Sequence, residues 1–285
     1  MAEPDPGARS VTEALALARG SIAGPSARVD AEMLLARAIG KSRSWLYAHP
    51  DAAVDETQAR ILASLLDRRR RGEPIALILG SREFWSLELT VTADTLIPRP
   101  ETELLVELAL ARMVGRPRCT VLDLGTGSGA IALALASERP DARITAIEAN
   151  ARTLAVAQKN AARLGLARVQ FLLGDWFSPV SDERYEVIVG NPPYIAQDDP
   201  HLSRGDLRFE PRAALVSGID GLDALRSISM AAPEHLVAGG FLLLEHGYEQ
   251  GERVRELLLA SRFIDVETHV DLEGRERVTL GRAPG

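Results

Sequence analysis

Two short stretches carry residue types whose order could do chemistry. Val121-Leu122-Asp123-Leu124-Gly125-Thr126-Gly127-Ser128-Gly129-Ala130 reads as a buried strand running into a glycine loop and then a helix. Residues without a Cβ accept unusual torsions and leave amides uncovered, so Gly125, Thr126, Gly127, Ser128 and Gly129 would let a ligand approach the main chain closely. An acid closing the next strand about 20 residues on would hold ribose hydroxyls, and Glu148 stands there. That pairing suits NAD and S-adenosylmethionine equally, because Gly125, Gly127 and Ala130 also satisfy the dinucleotide pattern G-x-G-x-x-G/A. Gly174-Asp175-Trp176-Phe177 follows a third strand, where Asp175 could accept an adenine amine and Trp176 stack on its ring.

The second stretch is Asn191-Pro192-Pro193-Tyr194, directly after a fourth strand and so facing the same crevice. An amide or aromatic amine is a poor nucleophile because its lone pair is delocalised. Two acceptors gripping both of its N–H groups orient that nitrogen and push density back onto it, and Asn191 Oδ1 with the Pro192 carbonyl can supply them. The prolines stiffen the turn and cannot donate competing hydrogen bonds. Tyr194 can stack on the planar group. Asn191, Pro192 and Tyr194 are therefore the expected catalytic residues, and Asn191 to Tyr194 the expected substrate clamp.

These motifs need a scaffold, and the pattern of the chain supplies one. Ser10-Val11-Thr12-Glu13 has capping-box spacing before the apolar run Ala14 to Ala18. Asp30 to Ile39 and Glu56 to Arg71 repeat apolar residues at helical spacing, which predicts a small helical bundle. The Arg68 to Arg71 run suits either an acidic or RNA partner or the last turn of a helix, where cations are favoured. Arg82 to Thr92 alternates as a strand pair or extended linker, stiffened afterwards by Pro98 and Pro100. Beyond that, strands at Val121 to Leu124, Ile144 to Ile147, Val169 to Leu173, Glu186 to Val189 and Phe241 to Leu244 alternate with helices at Ala130 to Ser137, Leu154 to Leu164, Leu222 to Leu236 and Gly251 to Ala260. Such alternation means a mostly parallel sheet covered on both faces. Ile264 to Val270 and Arg277 to Leu280, separated by Glu273-Gly274, would pair antiparallel.

Composition narrows the function classes. The 285 residues carry 33 Lys+Arg against 40 Asp+Glu, a formal net charge of −7, the wrong sign for gripping nucleic-acid phosphate over a broad surface. Cys119 is the only cysteine, so no intramolecular disulfide forms and a reducing cytoplasm is the expected home. MAEPDPGARS lacks an apolar segment and reads as neither signal nor transit peptide, and no run of about 18 apolar residues predicts a membrane span. The five histidines show no ligand spacing and one cysteine cannot build a zinc site, so no metal is expected. Walker A and G-x-S-x-G sequences are absent as well.

The chain resembles the HemK/PrmC protein methyltransferases. The likeness runs from Asp30-Ala31-Glu32-Met33-Leu34-Leu35 to Glu276-Arg277-Val278-Thr279-Leu280-Gly281-Arg282. It includes Gly80-Ser81-Arg82-Glu83-Phe84-Trp85, Leu96-Ile97-Pro98-Arg99-Pro100-Glu101-Thr102-Glu103, Arg208-Phe209-Glu210-Pro211 and Glu245-His246-Gly247. The resemblance implies an α/β fold: a seven-stranded class I S-adenosylmethionine-dependent methyltransferase sheet, mostly parallel with an antiparallel C-terminal hairpin, and a small N-terminal helical domain. It implies residues 1–76 as a helical substrate-docking domain, 77–97 as a β-hairpin linker and 98–285 as the methyltransferase domain. The implied reaction is methylation of the glutamine amide in the Gly-Gly-Gln motif of class I peptide chain release factors. The cofactor would be S-adenosylmethionine, held by Gly125 to Gly129, Glu148, Trp176 and Asn191. The partner would be the release factor, met by a monomer that engages no stable nucleic acid and no membrane. Arg99 and Glu103 are placed near the cofactor or as braces of the linker. Two departures are visible: Glu148 stands where the family more often has Asp, and Leu77 where an aromatic is usual.

The alternative activity is a nucleic-acid methyltransferase acting on an adenine or guanine exocyclic amine, whose nucleophile is also a conjugated nitrogen. It would need a flipped base and a cationic track. An NAD-dependent oxidoreductase leaves Asn191 to Tyr194 unexplained. A protein that only binds a translation partner would not need an intact loop and turn.

Overall fold

The structure, a computed structural model, describes residues 9–285; the acidic opening segment of residues 1–8 lies outside the described residues. The chain divides into two compact units, one ending at Gly80 and the other running from Ser81 to Gly285. The short hairpin that follows Gly80 falls in the second unit.

In the first unit, β1 (Arg9–Ser10) leads into α1 (Val11–Gly20), where Ser10 and Glu13 form the reciprocal capping box. α2 (Ala27–Ile39) ends on left-handed Gly40. α3 (Arg43–Ala48) and β2 (Ala53–Val54) follow, with β2 antiparallel to β1. Asp55 and Gln58 cap α4 (Glu56–Arg70), and α5 (Ile75–Leu79) stops at left-handed Gly80. Leu34, Leu35, Leu46, Leu62, Leu66 and Ile78 form the core of this unit. The arginine run at the end of α4 is engaged internally. Arg68 bonds Glu73, Arg69 reaches the buried Asp30 at 2.7 Å, Arg70 donates to the Ser21 carbonyl, and Arg71 pairs with Asp67.

In the second unit, β3 (Ser81–Phe84) and β4 (Leu87–Thr90) form a hairpin. Its two-residue turn is Trp85-Ser86, both at positive φ (51° and 58°), which matches the twist of the flanking strands. α6 (Glu103–Met113) precedes the alternating elements β5 (Thr120–Leu124), α7 (Ala130–Glu138), β6 (Arg143–Glu148), α8 (Ala151–Arg163), β7 (Gln170–Leu173) and β8 (Tyr185–Gly190). After them come α9 (Asp223–Ala231), β9 (Leu236–Glu245), α10 (Gly251–Ala260), β10 (Ile264–Val270) and β11 (Glu276–Arg282). The sequence reading extends α9 to Leu236, but Pro233 cannot continue a helix, so a 3-10 turn over Ala232–His235 intervenes and Leu236 already belongs to β9.

The sheet order is β10-β11-β9-β8-β5-β6-β7. β5 to β9 are mutually parallel, while β11 runs antiparallel to both β9 and β10. One apolar layer, with α6 and α7, covers one face, and Leu225, Ile228, Val254 and Leu258 from α9 and α10 cover the other. α7 is buried from Ala130 to Ala136, as its uniformly apolar sequence requires. Strand order reverses between β5 and β8, and open α/β sheets bind ligands beyond the carboxyl ends of such a strand pair. The glycine loop leaves β5 there, and the Asn191 turn leaves β8 beside it.

Candidate active site

The loop after β5 is built from three left-handed glycines, Gly125, Gly127 and Gly129 at φ 71°, 59° and 88°. A Cβ at Gly129 would press on Leu133 at 3.0 Å, so this glycine lets α7 begin close against the loop. In front of Gly127 there is open space. Glu148, at the end of β6, accepts from Gly127 N through Oε2 and from Asn150 N through Oε1, each at 3.0 Å. A carboxylate oxygen has two acceptor directions, so both oxygens keep capacity for a ligand.

Gly125, Gly127, Glu148, Trp176, Asn191 and Pro193 line one cavity of about 640 Å³. Trp176 lies at positive φ (43°), and its ring is 3.6 Å from where a Gly125 Cβ would be, so loop and indole meet across the cavity. The other expected residues are placed differently. Thr126 is buried and donates to Asp123 Oδ2 at 2.6 Å, and Ser128 is buried with its carbonyl accepting from Asn160. Pro192 is buried. The Tyr194 ring packs on the apolar layer beside α9 and α10, its carbonyl accepts from Gln250 Nε2 at 3.0 Å, and burial pushes its phenol pKa up.

Asn191 sits one residue past β8, and its Nδ2 donates to Thr102 Oγ1 at 3.2 Å. This leaves Oδ1 as the acceptor end of the amide. Thr102 is held in a 3-10 turn over Pro100–Thr102 at the start of α6. Asn191 Oδ1 and the backbone around it can thus present acceptors to a planar nitrogen.

Other chemistry-bearing residues lie around these. Asp123 is fully buried, and its carboxyl is pushed up to about 7 by burial, against hydrogen bonds from Thr126 and the Ala132 amide. Among the described residues its Oδ1 has no partner. Pro211, Ala213 and Ala214 form one wall of the cavity. Glu210 anchors that wall by accepting from Ile97 N at 3.1 Å and pairing with Arg99. Asp94 and Leu96 also line the cavity, and Thr153 Oγ1 donates to the Asp94 carbonyl at 2.6 Å. Glu103 accepts from Trp85 N at 2.9 Å, which ties the hairpin to α6. The assembly of these walls has no local signal, because each forms between segments far apart in sequence, although the Leu96 to Glu103 and Arg208 to Pro211 stretches both stand out in the sequence.

Known proteins place the chain. Residues 13–80 match the family described as PrmC N-terminal domain, and residues 100–206 match that described as Methyltransferase small domain. The release factor glutamine methyltransferase of Pseudomonas aeruginosa is 55% identical over 258 residues, covering 90% of this chain and 93% of that protein. The protein of the same name from Escherichia coli is 50% identical over 260 residues, covering 91% and 94%. A solved methyltransferase from Pyrococcus furiosus shares the fold, with a TM-score of 0.54 and 16% identity over 78% of this chain and 100% of that one. At such identity across nearly the full length of its relatives, the chain belongs to the release factor glutamine methyltransferase family.

Proposed function

We propose that the protein transfers a methyl group from S-adenosylmethionine to the side-chain amide nitrogen of the glutamine in the Gly-Gly-Gln motif of a class I peptide chain release factor. The supporting observation is Asn191 itself: it directly follows β8 at the sheet's switch point, lines the cavity of the glycine loop, and has its Nδ2 drawn back to Thr102. The reaction would take place in the cytoplasm, where release factors act, on a monomeric enzyme.

The residues fit the cofactor. Gly125 and Gly127 have backbone torsions that disfavour side chains, and the space before Gly127 is open. Glu148 would hold ribose hydroxyls, Asp175 an adenine amine, and Trp176 the face of the ring, all three being on the cavity wall. When bound, the cofactor supplies an electrophilic methyl group on a sulfonium. The protein's own part is orientation. Asn191 Oδ1 and the Pro192 carbonyl accept the two amide hydrogens of the substrate glutamine, holding its nitrogen in line and pushing density onto it. The amide proton becomes acidic as the new N–C bond forms, so no strong base is needed, and rate comes mainly from proximity and alignment. Mass spectrometry of a release factor after reaction should place one added methyl on the Gly-Gly-Gln glutamine; a methyl found only on another side chain would overturn the assignment.

A further inference from the structure

Glu245 closes β9 one residue beyond Leu244, and Leu244 pairs with Gly190 on β8, so Glu245 stands level with Asn191 on the neighbouring strand. It is 1% exposed. Among the described residues nothing hydrogen-bonds its Oε2. A buried carboxyl oxygen without a partner is costly to keep, so its retention calls for a task. Two polar side chains adjoin it. Thr102, 4% exposed, takes the hydrogen bond from Asn191 Nδ2. Thr102 and Asn191 are near enough to favour the ionised form of the Glu245 carboxyl.

We infer that Glu245 is a positioning residue that, through Thr102, fixes which end of the Asn191 amide faces the substrate. This rests on the reading of Asn191 as the acceptor for the substrate amide. A carboxylate only accepts, and a threonine hydroxyl has one proton to give. With that proton directed to Glu245, the Thr102 oxygen must accept, and only the NH₂ end of Asn191 can donate to it. Oδ1 is then left for the cavity. If Glu245 were neutral, or an amide, it could donate, and the chain could run backwards: Thr102 would donate to Oδ1, and Asn191 would turn its NH₂ toward the NH₂ of the substrate. Donor would face donor, and the grip would be lost.

The charge state of Glu245 therefore sets the grip. Burial pushes its carboxyl up to about 7, with Thr102, Arg277 on β11 and Asn191 opposing and Glu101 adding to the rise. Tyr194 also faces it, and His246, next in the chain, bonds Thr279. The ionised form that fixes Asn191 is lost as pH falls below that value.

The test measures kcat on a release factor across pH, with cofactor affinity followed by calorimetry. Wild-type kcat should fall as pH is lowered through about 7. Glu245→Gln should lower kcat about tenfold or more, lose that pH dependence, and leave cofactor affinity unchanged. Thr102→Val breaks the same chain without altering charge and should lose rate likewise, while Thr102→Ser, which keeps the hydroxyl, should recover most of it. If Glu245→Gln does not fold, the Thr102 pair decides. Wild-type kcat and pH profile in either Glu245→Gln or Thr102→Val would overturn the inference. A wild-type protein that leaves the glutamine unmodified would instead overturn the proposed reaction, so the two failures are distinct.

Discussion

A conjugated nitrogen attacks readily when its hydrogens are held by acceptors, and the proposed reaction gives that part to Asn191, which lines the cavity with its Nδ2 drawn back to Thr102. Asn191→Ala should lower single-turnover methyl transfer by about 10²-fold or more, the effect of removing one such group. Melting temperature should stay close to wild type, because Asn191 is only partly buried; retained transfer would remove it from the mechanism. Gly127→Val tests the loop. A Cβ there would strike nothing, so the penalty comes from the torsion of φ 59°, which a β-branched residue resists, and from the amide that Glu148 holds. Cofactor affinity by calorimetry should drop about tenfold or more, a loss of about 1.4 kcal/mol or more; equal affinity would place the ligand elsewhere. That Gly125, Gly127 and Asn191 share one cavity was legible because they sit in contiguous motifs at strand ends, and Glu148 because it closes the next strand at the expected spacing. Thr102 and Glu245 were not legible as neighbours of Asn191, since that proximity depends on strand register and on a turn 89 residues away.

At the level of elements, the hairpin, the loop and α8 are joined by one buried side chain. Asn160 on α8 accepts from Thr90 N at 2.8 Å and donates to the carbonyls of Thr90 and Ser128 at 3.0 and 2.9 Å. Replacing it by Leu leaves those groups unsatisfied and should cost about 2 to 4 kcal/mol in denaturant unfolding; an unchanged midpoint would refute this joint. In the first unit, burial would raise the Glu32 carboxyl, but the neighbouring Tyr47 hydroxyl and hydrogen bonds from Arg43 and Arg28 outweigh it and bring it down to about 2, and Arg19 bonds it as well. A carboxyl depressed on folding stabilises fully above its unfolded value and loses that contribution as pH falls toward the folded one. Glu32→Gln should therefore destabilise at pH 7 by about 1 to 3 kcal/mol, since its arginines are partly exposed. The gap should narrow toward about pH 2, and a gap independent of pH would contradict the account. The strands and long helices were readable from periodicity. α3 was not, because six residues give too few turns, and α6 went unread behind Pro98 and Pro100. The 3-10 turns from Pro200 to Ala214, which carry a cavity wall, have no period to read.

Over the whole molecule, charge and topology point the same way. The net charge is −7, and the densest cationic stretch, Arg68 to Arg71, bonds groups of its own unit. The sheet reversal brings the ends of β5, β6, β8 and β9 to one rim, where Gly125, Glu148, Asn191 and Glu245 come from segments spread over 120 residues. The fold class followed from the alternation of elements, whereas the walls of the cavity did not, being assembled by that reversal. The central claim is the identity of the nucleophile. The most direct measurement incubates the protein with methyl-labelled S-adenosylmethionine and a class I release factor, intact or with its Gly-Gly-Gln glutamine replaced, alongside total RNA and DNA. The account predicts label on the intact release factor, none on the replaced one, and none on nucleic acid; label on nucleic acid alone would contradict it and favour an exocyclic base amine as the substrate.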